Sequence, residues 1–226
     1  MLVDVRDYAH RNILIHGEYE PDLTALFGRL ARPGWTVLDV GANAGYFSLL
    51  AADLGGPRSH IVAFEPQQRI AAMLQRTLDL NSGAGIELVE AACGDHDGRV
   101  ALVTPSDPRN SGLATLRRDE VSGPTAEVPL LRLDRFCAER GLAPDLMKID
   151  VEGAEDAVLR GSETLLAGGA PRHVVCEVWP HSREAVIAYM ASHGYSASGI
   201  GADGSFNPVA EPTAAWSNLC FSRAEG

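Results

Sequence analysis

Short apolar runs alternate with stretches of helical periodicity along the first part of the chain. The runs TVLDV (36–40), IVAFE (61–65) and IELVEAAC (86–93) are separated by helical patterns over 46–54 and 68–81. Strands that alternate with helices join through right-handed crossovers and form a parallel sheet that is buried on both faces. The pattern therefore predicts an α/β fold.

The alternation returns in the second half of the chain. It predicts strands over 145–151 and 172–178, helices over 154–169 and 183–194, and late strands over 194–200 and 217–223. Before these elements, strand patterns over 98–104 and 126–133 flank a polar segment, Pro105–Pro124, which is rich in proline, glycine, serine and arginine. Long loops inside domains usually have a function, so this loop is a candidate substrate lid.

The N-terminal part contains one clear helical pattern. Leu23, Leu26, Phe27 and Leu30 have helical spacing after Pro21, whereas residues 1–20 hold no long periodic element. We therefore expect a helical N-terminal segment, about 1–34, in a single domain that spans 1–226.

Composition narrows the class of protein. The chain has 226 residues, 46% hydrophobic and 22% charged, with a formal net charge of −11. That charge argues against nucleic acid as a partner, because phosphate neutralisation needs clustered Lys and Arg. The four cysteines are widely spaced, which favours buried free thiols. We expect no membrane span, a cytoplasmic location and a possible homodimer.

A glycine-containing turn follows the first predicted strand. Asp39 lies in this strand, and GANAG, from Gly41 through Asn43 to Gly45, leads into a helix. Ligands of open α/β sheets bind at the carboxyl ends of strands, and glycine lets the backbone approach them. GANAG lacks the third glycine of the dinucleotide pattern GxGxxG. The Asp39 carboxylate suits a cationic ligand, so the turn favours S-adenosylmethionine, a sulfonium compound, over a nicotinamide dinucleotide.

The next two strands end in further candidate cofactor-binding residues. Glu65 ends the second strand, where an acidic residue typically accepts hydrogen bonds from a ribose diol. Ala92 lies with Ala91 and Cys93 at the end of the third strand, at the expected place of the adenine ring, and Asp95 follows in a turn-like sequence.

Candidate catalytic residues cluster after the later strands. In KIDVEGAE, strand alternation places Lys148, Asp150 and Glu152 on one side if the strand extends that far. Glu177 ends the following strand, and His181 lies just beyond it. Asp150, Glu177 or His181 could act as a general base. Asp150 and Glu152 could instead hold a divalent cation, which is less favoured because no third ligand is evident. In the loop, Asn110 and Ser111 are candidates for substrate hydroxyls, and Arg109, Arg117 and Arg118 for an anionic substrate.

These motifs together resemble one known family. DVGANAGYFSLLAA, AFEPQQ, KIDVEGAEDAVLRG and CEVWP, over roughly residues 15–222, are similar to the FkbM-type methyltransferases. The resemblance implies a class I Rossmann-like fold, a doubly wound, mostly parallel seven-stranded sheet with an antiparallel last strand. It also implies S-adenosylmethionine-dependent O-methylation of a sugar or polyketide hydroxyl, as in natural product biosynthesis. By position, the resemblance implies that the cofactor is bound by Asp39, Gly41, Asn43, Gly45 and Glu65. It also implies that the reacting methyl group is faced by Lys148, Asp150 and Glu152.

Three alternatives stay open at this point. The first is N-methylation of a small molecule, since the residues do not separate oxygen from nitrogen acceptors. The second is a nicotinamide-dependent oxidoreductase, which the GANAG spacing disfavours. The third is a module that binds S-adenosylmethionine without catalysis, which the charged KIDVE cluster disfavours.

Overall fold

In the computed structural model, a central sheet passes through the molecule. The structure describes residues 1–116, 123–209 and 217–223, without the side chains of residues 108, 110 and 111. Within these residues the sheet has eight strands, in the spatial order β10-β9-β11-β8-β7-β1-β2-β3. Their bounds are β1 Thr36–Val40, β2 His60–Phe64, β3 Ile86–Val89, β7 Leu146–Ile149, β8 His173–Val178, β9 Tyr195–Ile200, β10 Phe206–Asn207 and β11 Ser217–Arg223.

The pairing matches the predicted topology, with one additional strand. β3, β2, β1, β7 and β8 are parallel, and β11 runs antiparallel to both β8 and β9. The doubly wound, mostly parallel sheet with an antiparallel last strand is therefore confirmed. The expected count of seven strands is wrong by one, because the two-residue β10 pairs with the outer edge of β9.

Helices cover both faces of the sheet. Their bounds are α1 Tyr8–His16, α2 Pro21–Leu30, α3 Tyr46–Gly55, α4 Gln68–Asp79, α5 Leu133–Arg140, α6 Glu155–Arg160, α7 Glu163–Ala167 and α8 Arg183–Ser192. α2 and α3 bury Leu26 and Phe47 against one face, where α4 adds Leu74. α5 to α8 pack on the other face, in a core that contains Phe136 and Met190. The sheet is thus buried between two helical layers.

A second, small sheet lies beside the end of β3. It contains β4 Ala92–Cys93, β5 Gly98–Val103 and β6 Thr125–Leu131, in the order β4-β6-β5. The sequence predicts one strand over 86–93, but the chain pairs with β2 only as far as Val89 and then joins β6. The predicted loop between β5 and β6 contains a 3-10 helix, Pro108–Leu113.

One helical prediction also differs from the structure: the helix expected over 154–169 is two short helices, α6 and α7. Residues 1–20 contain α1, which begins after the cap residue Asp7 and is followed by Gly17 in the left-handed conformation. Among the described residues, no helix combines the length and the apolar character needed to cross a bilayer.

Candidate active site

A cavity of about 400 Å³ opens at the carboxyl ends of the parallel strands. Its walls come from the turn after β1, the ends of β2, β7 and β8, the small sheet, the 3-10 helix and the N-terminal segment around α1. This is the location at which open α/β sheets bind ligands, and the volume falls in the usual range for small-molecule sites.

The turn after β1 depends on two glycines. Gly41 and Gly45 have φ angles of +83° and +82°, in the left-handed region. A Cβ at Gly41 would overlap the carbonyl oxygen of Asp150, and a Cβ at Gly45 would overlap the Leu74 side chain. Both glycines therefore permit close packing of the chain itself. Gly41 also lines the cavity, whereas Gly45 lies at the start of α3.

Glu65 holds the turn from the adjacent strand end. Its Oε2 accepts a hydrogen bond from the backbone N–H of Asn43 at 2.9 Å, and its Oε1 accepts one from the backbone N–H of Gln67 at 2.8 Å. Burial raises the pKa of the Glu65 carboxyl to about 7, against the lowering effect of these two donors. Each oxygen has a further lone pair, so the carboxylate can still accept bonds from the hydroxyls of a ribose.

Charged side chains of β1 and of the end of β7 lie next to one another at the base of the cavity. Strand alternation places Asp39 and Lys148 side by side on the face that α2 and α3 cover, and the two residues are partners in the parallel register. Lys148 Nζ donates to Asp150 Oδ2 at 2.9 Å. Burial lowers the pKa of Lys148, but the carboxylates of Asp150, Asp39 and Glu20 outweigh it and raise this pKa above its ordinary value. The carboxylates around Lys148 therefore favour its charged form.

Three carboxylates converge beside this lysine. β7 ends at Ile149, so neither Asp150 nor Glu152 continues the strand, and Glu152 has a φ of +54°, in the left-handed region. One oxygen each from Asp150, Glu152 and Glu177 lies within 4.8 Å of the other two. Burial, with the nearby Asp150 and Glu152 carboxylates, raises the pKa of Glu177 to about 9. Glu177 supplies the third oxygen ligand that the sequence does not reveal, so this cluster could hold a divalent cation.

Two polar atoms in this region lack hydrogen-bond partners among the described residues. They are Glu177 Oε2 and Trp179 Nε1, and both residues line the cavity. Buried polar groups are normally paired, so these two atoms fit a bound ligand.

The described lining is strongly acidic. It has two cationic side chains, those of Lys148 and Arg109, and six carboxyl groups, those of Asp7, Glu20, Glu65, Asp150, Glu152 and Glu177. Apolar Ala92, Cys93 and Leu102 lie at the end near the small sheet. A ligand with an aromatic base at one end and a cationic group at the other suits these walls.

Other predicted residues lie outside the cavity lining. Asp39 is 1% exposed beneath the turn, where its Oδ2 accepts a hydrogen bond from Ser48 Oγ at 2.6 Å. Asp95 is exposed and pairs with His96 at 2.7 Å, and His181 is exposed beyond β8. Arg117 and Arg118, and the side chains of Asn110 and Ser111, fall outside the described residues. The roles predicted for all of these residues stay predictions.

The sequence analysis missed the N-terminal wall. Tyr8, His10, Tyr19 and Glu20 line the cavity, although they precede the first strand. Burial raises the pKa of Glu20 to about 7, against the opposing effect of Lys148. Sequence patterns give no signal for this wall. Trp179 also lines the cavity and was not predicted. It directly follows the end of β8, and this position is a signal by which the sequence could have identified it.

Comparison with known proteins identifies the family. The family described as "Methyltransferase FkbM domain" matches residues 39–197. The chain is 32% identical to "Methyltransferase 1" of Beauveria bassiana over 143 residues. This match covers 55% of this chain and 57% of that protein, so it spans little more than half of the relative. It is also 32% identical to the 31-O-demethyl-FK506 methyltransferase FkbM of Streptomyces tacrolimicus, over 73% of this chain and 74% of that protein.

A solved structure supports the same fold. The structure of a TehB-like SAM-dependent methyltransferase from Corynebacterium glutamicum superposes with a TM-score of 0.52 at 10% identity, covering 95% of this chain and 94% of that one. At this identity the likeness concerns the fold alone, and it confirms the class I architecture. The resemblance read from the sequence motifs is also confirmed: the chain belongs to the FkbM methyltransferase family.

Proposed function

We propose that the chain is an S-adenosylmethionine-dependent O-methyltransferase that acts on a hydroxyl group of a small molecule, such as a sugar or a polyketide-type natural product. One observation carries the proposal: a single cavity joins the turn held by Glu65 to the Lys148–Asp150 ion pair. The oxygen acceptor named for the Streptomyces tacrolimicus relative supports O-methylation over N-methylation.

The residues present fit the cofactor. When bound, S-adenosylmethionine supplies an electrophilic methyl group. Glu65 would accept hydrogen bonds from its ribose, Ala92 and Leu102 would contact its adenine, and the acidic lining would balance its sulfonium and ammonium charges. S-adenosylmethionine has no phosphate group, so its site needs no cluster of cationic side chains. The acidic lining of the described walls agrees with this.

The charged cluster supplies acid–base groups for the acceptor. Asp150, with its side chain 26% exposed, takes the hydroxyl proton while Lys148 holds its Oδ2. With a pKa of about 9, Glu177 keeps its own proton at neutral pH, so it donates a hydrogen bond to the acceptor and does not remove the proton. The protein otherwise aligns the oxygen with the methyl group, which is the main requirement of an in-line displacement.

The test compares binding with turnover. We expect S-adenosylmethionine to bind in calorimetry and a labelled methyl group to reach hydroxyl acceptors but not amines. Asp150→Asn should reduce turnover about 10²-fold to 10⁴-fold, the usual contribution of a general base, with nearly unchanged cofactor affinity. Asp203→Asn, in an exposed ion pair with Arg29, is the matched control.

Four outcomes would redirect the proposal. Equal loss of binding and turnover in Asp150→Asn would remove Asp150 from the chemistry. Loss of turnover in EDTA, restored by Mg²⁺, would assign the three-carboxylate cluster to a metal. Stabilisation by NADH and not by S-adenosylmethionine would favour the oxidoreductase, and transfer to amines would favour N-methylation.

A further inference from the structure

α1 is attached to the glycine turn through one buried histidine. His10 is 1% exposed, and its Nε2 lies 2.8 Å from Asn43 Oδ1. Its Nδ1 lies 3.2 Å from the backbone nitrogen of Asp4. Both ring nitrogens therefore have partners, one in the N-terminal segment and one in the turn.

These partners determine where the ring proton is. The backbone N–H of Asp4 can only donate, so His10 Nδ1 must be the acceptor and Nε2 must carry the proton. His10 Nε2 then donates to Asn43, which requires the amide oxygen of Asn43 to face the ring. Among the described residues no hydrogen bond occupies the two N–H groups of the Asn43 amide, so they remain for another partner.

Asn43 is held on its backbone side as well. Its φ of +50° is in the left-handed region, and its backbone N–H donates to Glu65 Oε2. Asn43 lines the cavity, so its amide group is available to a ligand. Glu65 fixes the main chain of this residue, and His10 fixes the orientation of its side chain.

We propose that His10 is a positioning residue for the cofactor: it orients Asn43 so that the amide NH₂ donates to an acceptor oxygen of the bound adenosyl compound. This inference rests on the proposed function. The acceptor is either the carboxylate of the amino-acid moiety or a ribose hydroxyl, since both accept hydrogen bonds.

The N-terminal segment has other attachments, which separate positioning from simple anchoring. The backbone N–H of Leu2 donates to Thr77 Oγ1 at 2.9 Å, and Arg69 pairs with Asp4 at 3.1 Å. Arg69→Ala therefore loosens the segment without removing either bond of the His10 ring, and it serves as the control.

The experiment measures the calorimetric Kd of S-adenosylhomocysteine and of 5′-methylthioadenosine, which lacks the amino-acid moiety. His10→Ala should weaken S-adenosylhomocysteine binding about 10-fold, which corresponds to about 1.4 kcal/mol and lies at the upper end of the usual contribution of a hydrogen bond. His10→Gln, which can still donate to Asn43, should recover part of the affinity. Unchanged 5′-methylthioadenosine binding would assign the bond to the carboxylate, and equal loss would assign it to the ribose.

A second variant tests the polarity directly. Asn43→Asp keeps an oxygen for His10 but removes the NH₂ donors, so it should weaken S-adenosylhomocysteine at least as much as His10→Ala does. The inference is overturned if wild type binds and either His10→Ala or Asn43→Asp binds within twofold of it, or if Arg69→Ala loses as much affinity as His10→Ala. Failure of the wild type to bind either compound would instead refute the proposed function and, with it, this inference.

Discussion

Replacement of Lys148 by methionine tests the charge arrangement on which the site depends. Lys148 is 3% exposed and lies between the carboxylates of Asp39 and Asp150. Asp39 is itself 1% exposed, and its Oδ1 has no hydrogen-bond partner among the described residues. Methionine keeps an unbranched side chain, one atom shorter than lysine, and removes the charge, so both carboxylates lose their neighbouring cation.

The expected loss of stability is large. Removing one partner from a buried ion pair typically costs about 3–5 kcal/mol, because the other charge stays buried without compensation. For a chain of this size, 1 kcal/mol corresponds to a change of about 2–4 °C in Tm, so Tm should fall by roughly 6–20 °C. Arg99→Met, in an exposed pair with Glu127, removes the same charge and should change stability by less than about 0.5 kcal/mol.

Urea unfolding between pH 4 and pH 8 measures the effect. Burial raises the pKa of Asp39 while Lys148 lowers it, so the pKa should rise further in Lys148→Met. A raised folded-state pKa leaves stability intact below the unfolded value and reduces it as pH increases, so the defect should grow towards pH 8. Adding Asp39→Asn should recover part of the loss. A Lys148→Met protein within 1 kcal/mol of wild type at pH 8 would refute the reasoning.

Three further predictions concern the same region. Glu177→Gln should raise Tm near pH 8 but not near pH 4.5. The Glu177 carboxyl has a pKa of about 9 in the folded protein, so the wild-type protein loses stability as pH rises between these two values, and the glutamine variant does not. Melting curves at the two pH values measure the difference. Gly41→Ala should lower the free energy of unfolding, measured in urea, by about 2–4 kcal/mol, because the new Cβ would overlap the carbonyl oxygen of Asp150. Gly56, with a φ of +72°, has open space around it, so Gly56→Ala should lose about 1 kcal/mol. Equal losses in the two variants would exclude the contact as the cause. Trp179→Phe should raise the KM for the acceptor several-fold at constant cofactor Kd, and an unchanged KM would contradict a role for Nε1.

The sequence predicts those parts of the fold that hydrophobic patterns encode. β1, β2, β7 and β8 are buried apolar runs, and each ends near residues that the sequence already marks, such as Glu65 and Glu177. Because parallel strands end at one edge, their positions alone bring these side chains together. The two-residue β10 is too short to produce a pattern.

Long-range contacts are the part that sequence patterns omit. α1 has no apolar stripe: Leu14 and Ile15 are exposed, and its fully buried residue is His10. It is attached to the turn by the hydrogen bond between His10 and Asn43, which are 33 residues apart. Similarly, Gly41 packs against the Asp150 carbonyl, a contact across strands that its own neighbours do not predict.

The N-terminal wall has a consequence for how acceptor choice can diverge among related enzymes. Tyr8, Tyr19 and Glu20 line the cavity but precede Asp39, where the match to the family begins. Residues outside the matched range therefore form one side of the cavity, whereas the carboxyl groups of Asp150, Glu152 and Glu177 lie inside that range. A chimera that carries this stretch from a relative would test whether the wall determines acceptor selectivity, provided that it retains His10, the partner of Asn43.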